Sequence, residues 1–215
     1  MPGVVSLLLK GGPVMVPLVV CSIVSLAAIL ERAWFWLRTA GVREAERVYE
    51  LASRGKWDDA IETGRASRSP LARVLAVGIA NRLTKPALAM VGAAQEELGR
   101  MRRGLPVLDT IITLSPLLGL LGTVTGMIAA FGVMGQSGMN SPHAITGGVA
   151  EALIATAVGL GIAIAALVPL NFFNSRVDAT LETIERYGSR LELLLAEAAA
   201  HSGPVAVAQG GKHDS

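Results

Sequence analysis

Long stretches of the chain carry almost no charge, and a polar, highly charged segment separates them. The first stretch is residues 13–30, which contain no Asp, Glu, Lys or Arg and end at Glu31. A second apolar region follows later, in which Glu151 is the one charged residue between Asp109 and Arg176. Because a membrane-spanning helix needs about 20 apolar residues, this pattern predicts an integral membrane protein with three transmembrane helices, two of them in the second region.

The alternation also predicts an all-α fold with long cytoplasmic helical extensions. Trp34, Phe35 and Trp36 follow the first stretch directly, as in the interfacial belt of a membrane protein. A cleaved signal peptide is the alternative interpretation, although its apolar region would be unusually long and Lys10 is its one basic residue. The predicted segments are residues 1–37 (amino-terminal segment and first transmembrane helix), 38–104 (cytoplasmic helical domain), 105–135 (second transmembrane helix), 136–143 (periplasmic loop), 144–173 (third transmembrane helix), 174–200 (cytoplasmic helix extension) and 201–215 (disordered tail).

The polar segment 38–104 has a helix-forming composition with little strand signal. Gly55 and Gly64 predict turns within it, and residues 67–70 predict a helix start. Pro86 predicts the beginning of a helix that continues into the second transmembrane span. The segment contains no Gly-rich phosphate loop, paired cysteines or histidine cluster, so we interpret it as a compact helical domain and not as a catalytic module.

The distribution of basic residues predicts the orientation in the membrane. Of the 19 Lys and Arg residues, 14 lie between Arg32 and Arg103 and four follow Asn174. One precedes the first span, and residues 135–143 contain none. Because Lys and Arg are enriched in cytoplasmic loops, the polar segment and the carboxyl terminus are predicted to be cytoplasmic. Three spans then place the amino terminus in the periplasm.

Composition agrees with a membrane protein and excludes several other classes. Hydrophobic residues make up 52% of the 215 residues and charged residues 17%, below the quarter or so that soluble domains carry. The net charge of +2 is too small to indicate nucleic-acid binding, and no aromatic and basic patch supports it. Cys21 is the single cysteine, so it cannot form an intrachain disulfide.

Glu151 is the most informative residue of the sequence. A charged side chain near the centre of a transmembrane helix costs about 2.5–3.5 kcal/mol on insertion scales, so it should face a bundle interior, a water-filled path or a partner. The functional interpretation is a role in a proton or ion path. The alternative is a neutral carboxyl that is hydrogen-bonded within the bundle and affects assembly. Glu151 also lies about two turns from the predicted loop, so it could reach the interface.

Small residues follow one face of each of the last two predicted spans. Small side chains let helix backbones approach closely, which drives packing in lipid, where no hydrophobic effect acts between helices. These faces predict tight helix–helix contact within or between subunits, and taken alone they specify no activity. The third span contributes Gly148, Ala152, Thr156, Gly159, Ala163 and Ala166, and the second contributes Gly119, Gly122, Gly126 and Ala130.

The hydroxyls of Thr123, Thr125 and Thr156 lie at mid-membrane depth in the predicted spans. A threonine in a helix often bonds back to its own backbone, which is the structural interpretation of each. Rings of threonine around a symmetry axis could instead form the polar lining of a narrow path. Asp109 begins the second span, where it is interpreted as an interfacial charge.

Two motifs carry a resemblance to a known family. Residues 115–127 read SPLLGLLGTVTGM and residues 148–160 read GVAEALIATAVGL. Each closely resembles a transmembrane motif of the MotA/TolQ/ExbB family of proton-channel subunits, the first the second-span motif and the other the third-span motif. Residues 11–15 (GGPVM) and 30–32 (LER) are also typical of ExbB-like members. The resemblance is weakest over residues 38–103.

The resemblance implies a homopentamer that surrounds a dimer of a small single-span partner, ExbD- or TolR-like. Protons that flow between subunit and partner would drive rotation in the bacterial inner membrane. In the ExbB branch, TonB delivers the resulting work across the periplasm. By position in the motifs, Thr123 and Thr156 would face the pore opposite an aspartate of the partner, and Glu151 would be the third-span glutamate of the family.

One departure from the family pattern and several alternatives complete the sequence analysis. Family members usually have a proline where this chain has Ala165, and a proline follows four residues later at Pro169. A TolQ-like subunit and a passive membrane scaffold are the alternatives to an ExbB-like motor subunit. An enzyme is disfavoured because no nucleophile–base pair or metal-ligand set accompanies Glu151 or Asp109. No metal or cofactor is predicted.

Overall fold

The computed structural model describes residues 12–39, 41–137 and 142–202, and of residues 133–137, 142–145 and 201–202 it describes the backbone only. Within these ranges the chain forms seven helices and no strand. The predicted loop 136–143 and tail 201–215 lie in large part outside the described residues. The helices are α1 (Met15–Arg38), α2 (Val42–Ser53), α3 (Trp57–Ala66), α4 (Pro70–Ala80), α5 (Pro86–Arg102), α6 (Leu105–Ser137) and α7 (Pro142–Ser202).

Three of these helices, α1, α6 and α7, are long and apolar enough to cross a membrane, in agreement with the three predicted spans. Each leaves large apolar side chains exposed on the single chain, as a lipid-facing or subunit-facing helix does. α7 has 61 residues, about three times the length that a bilayer requires. The predicted third span and its extension are therefore one continuous helix, and Pro169 lies inside it without ending it. Examples of the exposed apolar residues are Val16, Ile23, Leu120, Ile128, Leu153 and Val168.

The chain divides into two compact units, and the first contains α1, α6 and the part of α7 up to Arg176. The start of α1 packs against α7 through Val14, Met15 and Leu18, which are buried with Ala155. At the other end of α1, Arg32 is only 2% exposed. Its Nε donates to Glu31 at 2.6 Å, and its guanidinium lies 4.7 Å from the centre of the Phe35 ring. A buried charge with such partners is tolerated because its polar groups are satisfied.

The second unit contains residues 38–101 and the rest of α7. Its core combines α2, α4 and α7, with large side chains such as Leu75, Ile79 and Leu191 fully buried. One glutamate, Glu97 of α5, is also buried in this unit and accepts from Arg73 Nε at 2.9 Å. The unit differs from the predicted segment 38–104 in that it includes the last part of α7.

In this segment the predicted helix start and the turn at Gly55 are confirmed, whereas the turn predicted at Gly64 is wrong. α4 begins with Ser69 as its N-cap, whose hydroxyl accepts from the Ala72 N–H, as the predicted helix start requires. Gly55 lies in a turn with φ +72°. Gly64, however, lies inside α3 and does not form a turn. A methyl group there would meet Ala76 Cβ at 2.6 Å, so the glycine serves close packing.

The helix that Pro86 begins does not continue into the second span. α5 ends at Arg102, and α6 begins at Leu105. Gly104 lies between them with φ +82°, a left-handed conformation that ends a helix and that only glycine adopts readily. The apolar periodicity runs on across this turn, and for this reason the sequence pattern alone suggested one helix.

Candidate functional site

The glycine faces of α6 and α7 bring the two helix backbones into contact. A methyl group built on Gly159 would lie 2.5 Å from the Ser115 carbonyl oxygen, and one on Gly119 would lie 3.0 Å from Thr156 Cα. Such positions accept no side chain without a shift of backbone. Because each step along α6 meets an earlier residue of α7, the two helices run antiparallel. The contact continues through Gly122 against Ala155, Gly126 against Ala152, and Gly148 against Ala130.

Thr156 is part of this helix contact. Its hydroxyl donates to the Gly119 carbonyl oxygen of α6 at 2.9 Å, a hydrogen bond between helices and not within its own. Inter-helix hydrogen bonds in membranes contribute about 0.6 kcal/mol on average. In the single chain, therefore, Thr156 stabilises the α6–α7 pair at the point where the backbones approach closely.

Thr123 and Thr125 bond within their own helix. The Thr123 hydroxyl donates to the Leu120 carbonyl oxygen at 2.7 Å, and that of Thr125 donates to the Leu121 carbonyl oxygen at 3.0 Å. Both satisfy the structural interpretation of a helical threonine. Thr123 is half-buried, so part of its surface is available to a neighbouring chain.

Glu151 lies on α7 where the turn that precedes α1 approaches it. A methyl group built on Gly12 would overlap the Glu151 Oε1 atom and lie 3.0 Å from Cδ. Gly12 precedes α1, so the carboxyl is level with the beginning of that helix and not with its middle. The side chain is half-buried, and no hydrogen bond or ion pair of its carboxyl is recorded within the described ranges.

Glu151 and Thr156, which the third-span motif singles out, are not brought to one point by the single chain. Glu151 and Thr156 are five residues apart, which separates them by about 7.5 Å along α7 and about 140° around it. Thr156 faces α6, whereas Glu151 faces the turn before α1. Asp109 lies near the opposite end of α6, where it lines an open cavity with Arg102 and Asn174.

Two features of the site had no clear signal in the sequence. Gly12 was noted only as part of a family-typical segment, and its proximity to Glu151 depends on the packing of helices far apart in the chain. The Ser115 hydroxyl is fully buried in α6 and has no hydrogen-bond partner among the described residues. A serine in an apolar run gives no sign of its surroundings until the helix contact is known.

Comparison with known proteins identifies a family that matches this chain. Residues 66–186, more than half of the chain, match the model of the MotA/TolQ/ExbB proton channel family. The matched range includes both glycine faces, Glu151 and the two motif threonines, but not α1.

Individual relatives agree with this match. The biopolymer transport protein ExbB-like 1 of Synechocystis sp. is 39% identical over 210 residues, which cover 91% of this chain and 80% of that protein. ExbB of Xanthomonas campestris is 41% identical over 98 residues, covering 44% of this chain and 39% of that protein. TolQ of the Tol-Pal system of Haemophilus influenzae is 38% identical over 91 residues, covering 42% and 40%. By the family match and the long alignment together, this chain belongs to the MotA/TolQ/ExbB proton channel family.

Proposed function

We propose that the chain is the proton-channel subunit of an inner-membrane, energy-transducing motor of the ExbB type. With an ExbD-like partner, it couples the proton-motive force to TonB-dependent transport across the outer membrane. The observation that carries the proposal is Glu151, an acidic residue in an apolar helix of a proton-channel family, placed beside the turn that begins α1.

The energetics of the step are compatible with this role. One elementary charge that crosses the membrane yields about 2.3 kcal/mol per 100 mV. The insertion cost of a carboxylate at a helix centre is about 2.5–3.5 kcal/mol, which is similar in size. The energy supplied by a membrane potential is therefore of the same order as the cost of a charged carboxyl within an apolar helix.

A partner chain supplies the rest of the proton path in this proposal. Apart from Glu151, the sequence from residue 110 to 175 contains no Asp, Glu, Lys or Arg, so one chain offers a single acid to the apolar region. An aspartate in the single span of an ExbD- or TolR-like protein provides the second. In a homopentamer, Thr123 and Thr156 of each subunit line the path opposite that aspartate, and the amino terminus is periplasmic.

The Thr156 hydroxyl is already engaged as a donor, which limits how it can take part in such a lining. It donates to the Gly119 carbonyl oxygen, so it reaches a pore-side partner only through its remaining acceptor capacity or after rotation of the side chain. Thr123 has the same constraint with respect to Leu120. A threonine that already bonds a carbonyl still accepts a hydrogen bond from water, which is sufficient for a polar lining.

A TolQ-like subunit of an envelope-maintenance motor is the second candidate, favoured by the match to TolQ of Haemophilus influenzae. Both candidates share the proton step and differ in the work performed. Deletion of the gene separates them: an ExbB-like subunit is required for TonB-dependent transport across the outer membrane, whereas a TolQ-like subunit is required for envelope maintenance.

The proton step is tested by complementation of the deletion strain with Glu151→Gln. We expect Glu151→Gln not to restore the function that the deletion removes, because the amide cannot exchange a proton at neutral pH. The matched control is Glu182→Gln, which changes an exposed glutamate of the same helix beyond the apolar region and should complement fully. A passive scaffold would complement with both variants and would contradict the proposal.

A further inference from the structure

Glu151 lies against a backbone position that has no side chain. The Oε1, Cδ and Cγ atoms of Glu151 are the three atoms nearest to the place where a Cβ of Gly12 would stand. Nothing else fills that space more closely, so the absence of a Cβ at Gly12 is what leaves room for the carboxyl. The contact joins residues that are 139 positions apart and belongs entirely to the first compact unit.

The turn that contains Gly12 is held in place by the start of α1. Gly12 has φ +71°, and its carbonyl oxygen accepts from the Met15 N–H at 3.1 Å. The next two residues are Pro13, whose ring fixes its own φ, and Val14, which is buried with Ala155 of α7. Ala155 is one helical turn from Glu151, so the turn and the glutamate are attached to the same small packed region.

We propose that Gly12 is a positioning residue for the Glu151 carboxyl: the turn before α1 forms one wall of the space in which that carboxyl moves. This inference rests on the proposed function, because the carboxyl that the turn borders is the one proposed to carry the proton. It also gives the amino-terminal turn a role in the proton step, since a displacement of α1 relative to α7 would move the wall relative to the carboxyl.

The experiment compares two glycine-to-alanine variants of the full chain, each co-expressed with its single-span partner. Gly12→Ala adds a methyl group at φ +71° against the Glu151 carboxyl. Gly55→Ala adds the same group at φ +72°, where nothing lies within 4 Å. Both variants bear the strain of a left-handed residue, so their difference reports the contact alone.

Two readouts are measured on each variant. The first is proton flux into liposomes that contain the reconstituted complex, which should fall at least tenfold for Gly12→Ala and less than twofold for Gly55→Ala. The second is labelling of residue 151 by a hydrophobic carbodiimide, quantified by mass spectrometry. We expect labelling to rise at least threefold in Gly12→Ala only, because the displaced carboxyl leaves the shelter of the turn, with Glu151→Gln as the blank.

Several outcomes would overturn the proposal. Equal flux and labelling in Gly12→Ala and Gly55→Ala would show that the contact is irrelevant. Reduced flux with unchanged labelling at Glu151 would show that the effect comes through the fold. If Gly12→Ala does not accumulate in the membrane, Gly12→Ala/Glu151→Ala should accumulate as well as Gly55→Ala/Glu151→Ala, which bears the same left-handed strain without the contact, and failure to do so contradicts the proposal. Full flux in Glu151→Gln would instead refute the proposed function.

Discussion

The two compact units of the chain are packed in opposite ways. In the first, α6 and α7 meet through glycine and alanine, and a methyl group on Gly159 or Gly119 would collide with backbone of the other helix. In the second, the core consists of large side chains such as Leu75 and Leu191, together with the buried ion pair of Arg73 and Glu97. In the first unit the helix backbones touch, whereas in the second large side chains fill the space between the helices.

The difference follows from the surroundings of each region. In water, burial of apolar area provides about 25 cal/mol per Å², so large side chains give the most stability. In lipid, the tails are as apolar as leucine, and association depends on close van der Waals contact and inter-helix hydrogen bonds. α7 takes part in both regions, since it carries Gly159 in one and Leu191 in the other. The small residues in the first part of α7 suit packing in lipid, and the large apolar residues in its second part suit packing in water.

The largest effect is expected from Gly159→Leu in the α6–α7 contact. A leucine has four side-chain carbon atoms, and at this position even a single methyl group would lie 2.5 Å from the Ser115 carbonyl oxygen. The loss of stability should therefore exceed the ~1–3 kcal/mol typical of overpacking. We expect the protein not to accumulate in membranes, as measured by immunoblot. Gly161→Leu, two residues along the same helix with nothing within 4 Å, should accumulate normally. Equal loss in both variants would contradict the backbone contact.

The next largest effect is expected from Leu191→Ala in the second unit. Leu191 is 0% exposed, and truncation of a buried leucine costs about 2–5 kcal/mol. Leu193→Ala changes a leucine of the same helix that is 68% exposed and should alter stability little. Urea-dependent proteolysis of the purified protein measures both. Indifference to Leu191→Ala would show that the large-side-chain core does not hold this unit together.

A smaller effect is expected from Glu97→Ala, which removes the buried partner of Arg73. Glu97 is 6% exposed, but Arg73 is 28% exposed and keeps a bond to the Ser67 carbonyl oxygen, so we expect a loss of about 1–3 kcal/mol. Glu96→Ala removes an exposed ion pair with Arg100 and should cost less than about 0.5 kcal/mol. The same proteolysis assay ranks the two. The reverse order would contradict the assignment of Glu97 to the core.

The smallest effect on stability is expected from Thr156→Val. It removes the hydrogen bond to the Gly119 carbonyl oxygen and keeps the side-chain volume, so the loss should be about 0.6 kcal/mol. Thermal unfolding in detergent should therefore change by only a few degrees. Proton flux distinguishes two roles of the Thr156 hydroxyl. A loss of flux much larger than the loss of stability indicates that the hydroxyl lines the pore, whereas small losses of both indicate a packing role only.

Much of the fold could be predicted because its causes are local. Uncharged runs of sufficient length predicted the three long apolar helices, and small residues at spacings of four and three anticipated the face on which α6 and α7 meet. The turn predicted at Gly64 and the continuous helix predicted from Pro86 into the second span were both wrong, since Gly64 lies inside α3 and Gly104 interrupts the continuous helix. A positive φ and a close approach both select glycine, and the sequence does not say which of the two applies.

The surroundings of Glu151 could not be predicted from the sequence. Its helix and approximate depth follow from the apolar run, but its neighbour Gly12 is distant in the chain, and the contact exists only because α1 packs on α7 through Val14 and Ala155. Likewise, helix geometry alone puts Thr156 and Glu151 on different sides of α7, but only the packed structure shows that Thr156 faces α6 and Glu151 faces the turn before α1. Such relations arise from tertiary packing, which no local pattern encodes.

The proposed role of the Glu151 carboxyl is to carry protons through this protein. Its most direct test is proton flux, driven by a potassium-diffusion potential, into liposomes that contain the subunit with its single-span partner. We expect Glu151→Gln to reduce the flux at least a hundredfold, to the level of empty liposomes, while Glu182→Gln retains the full rate. Undiminished flux through an intact Glu151→Gln complex would contradict the claim.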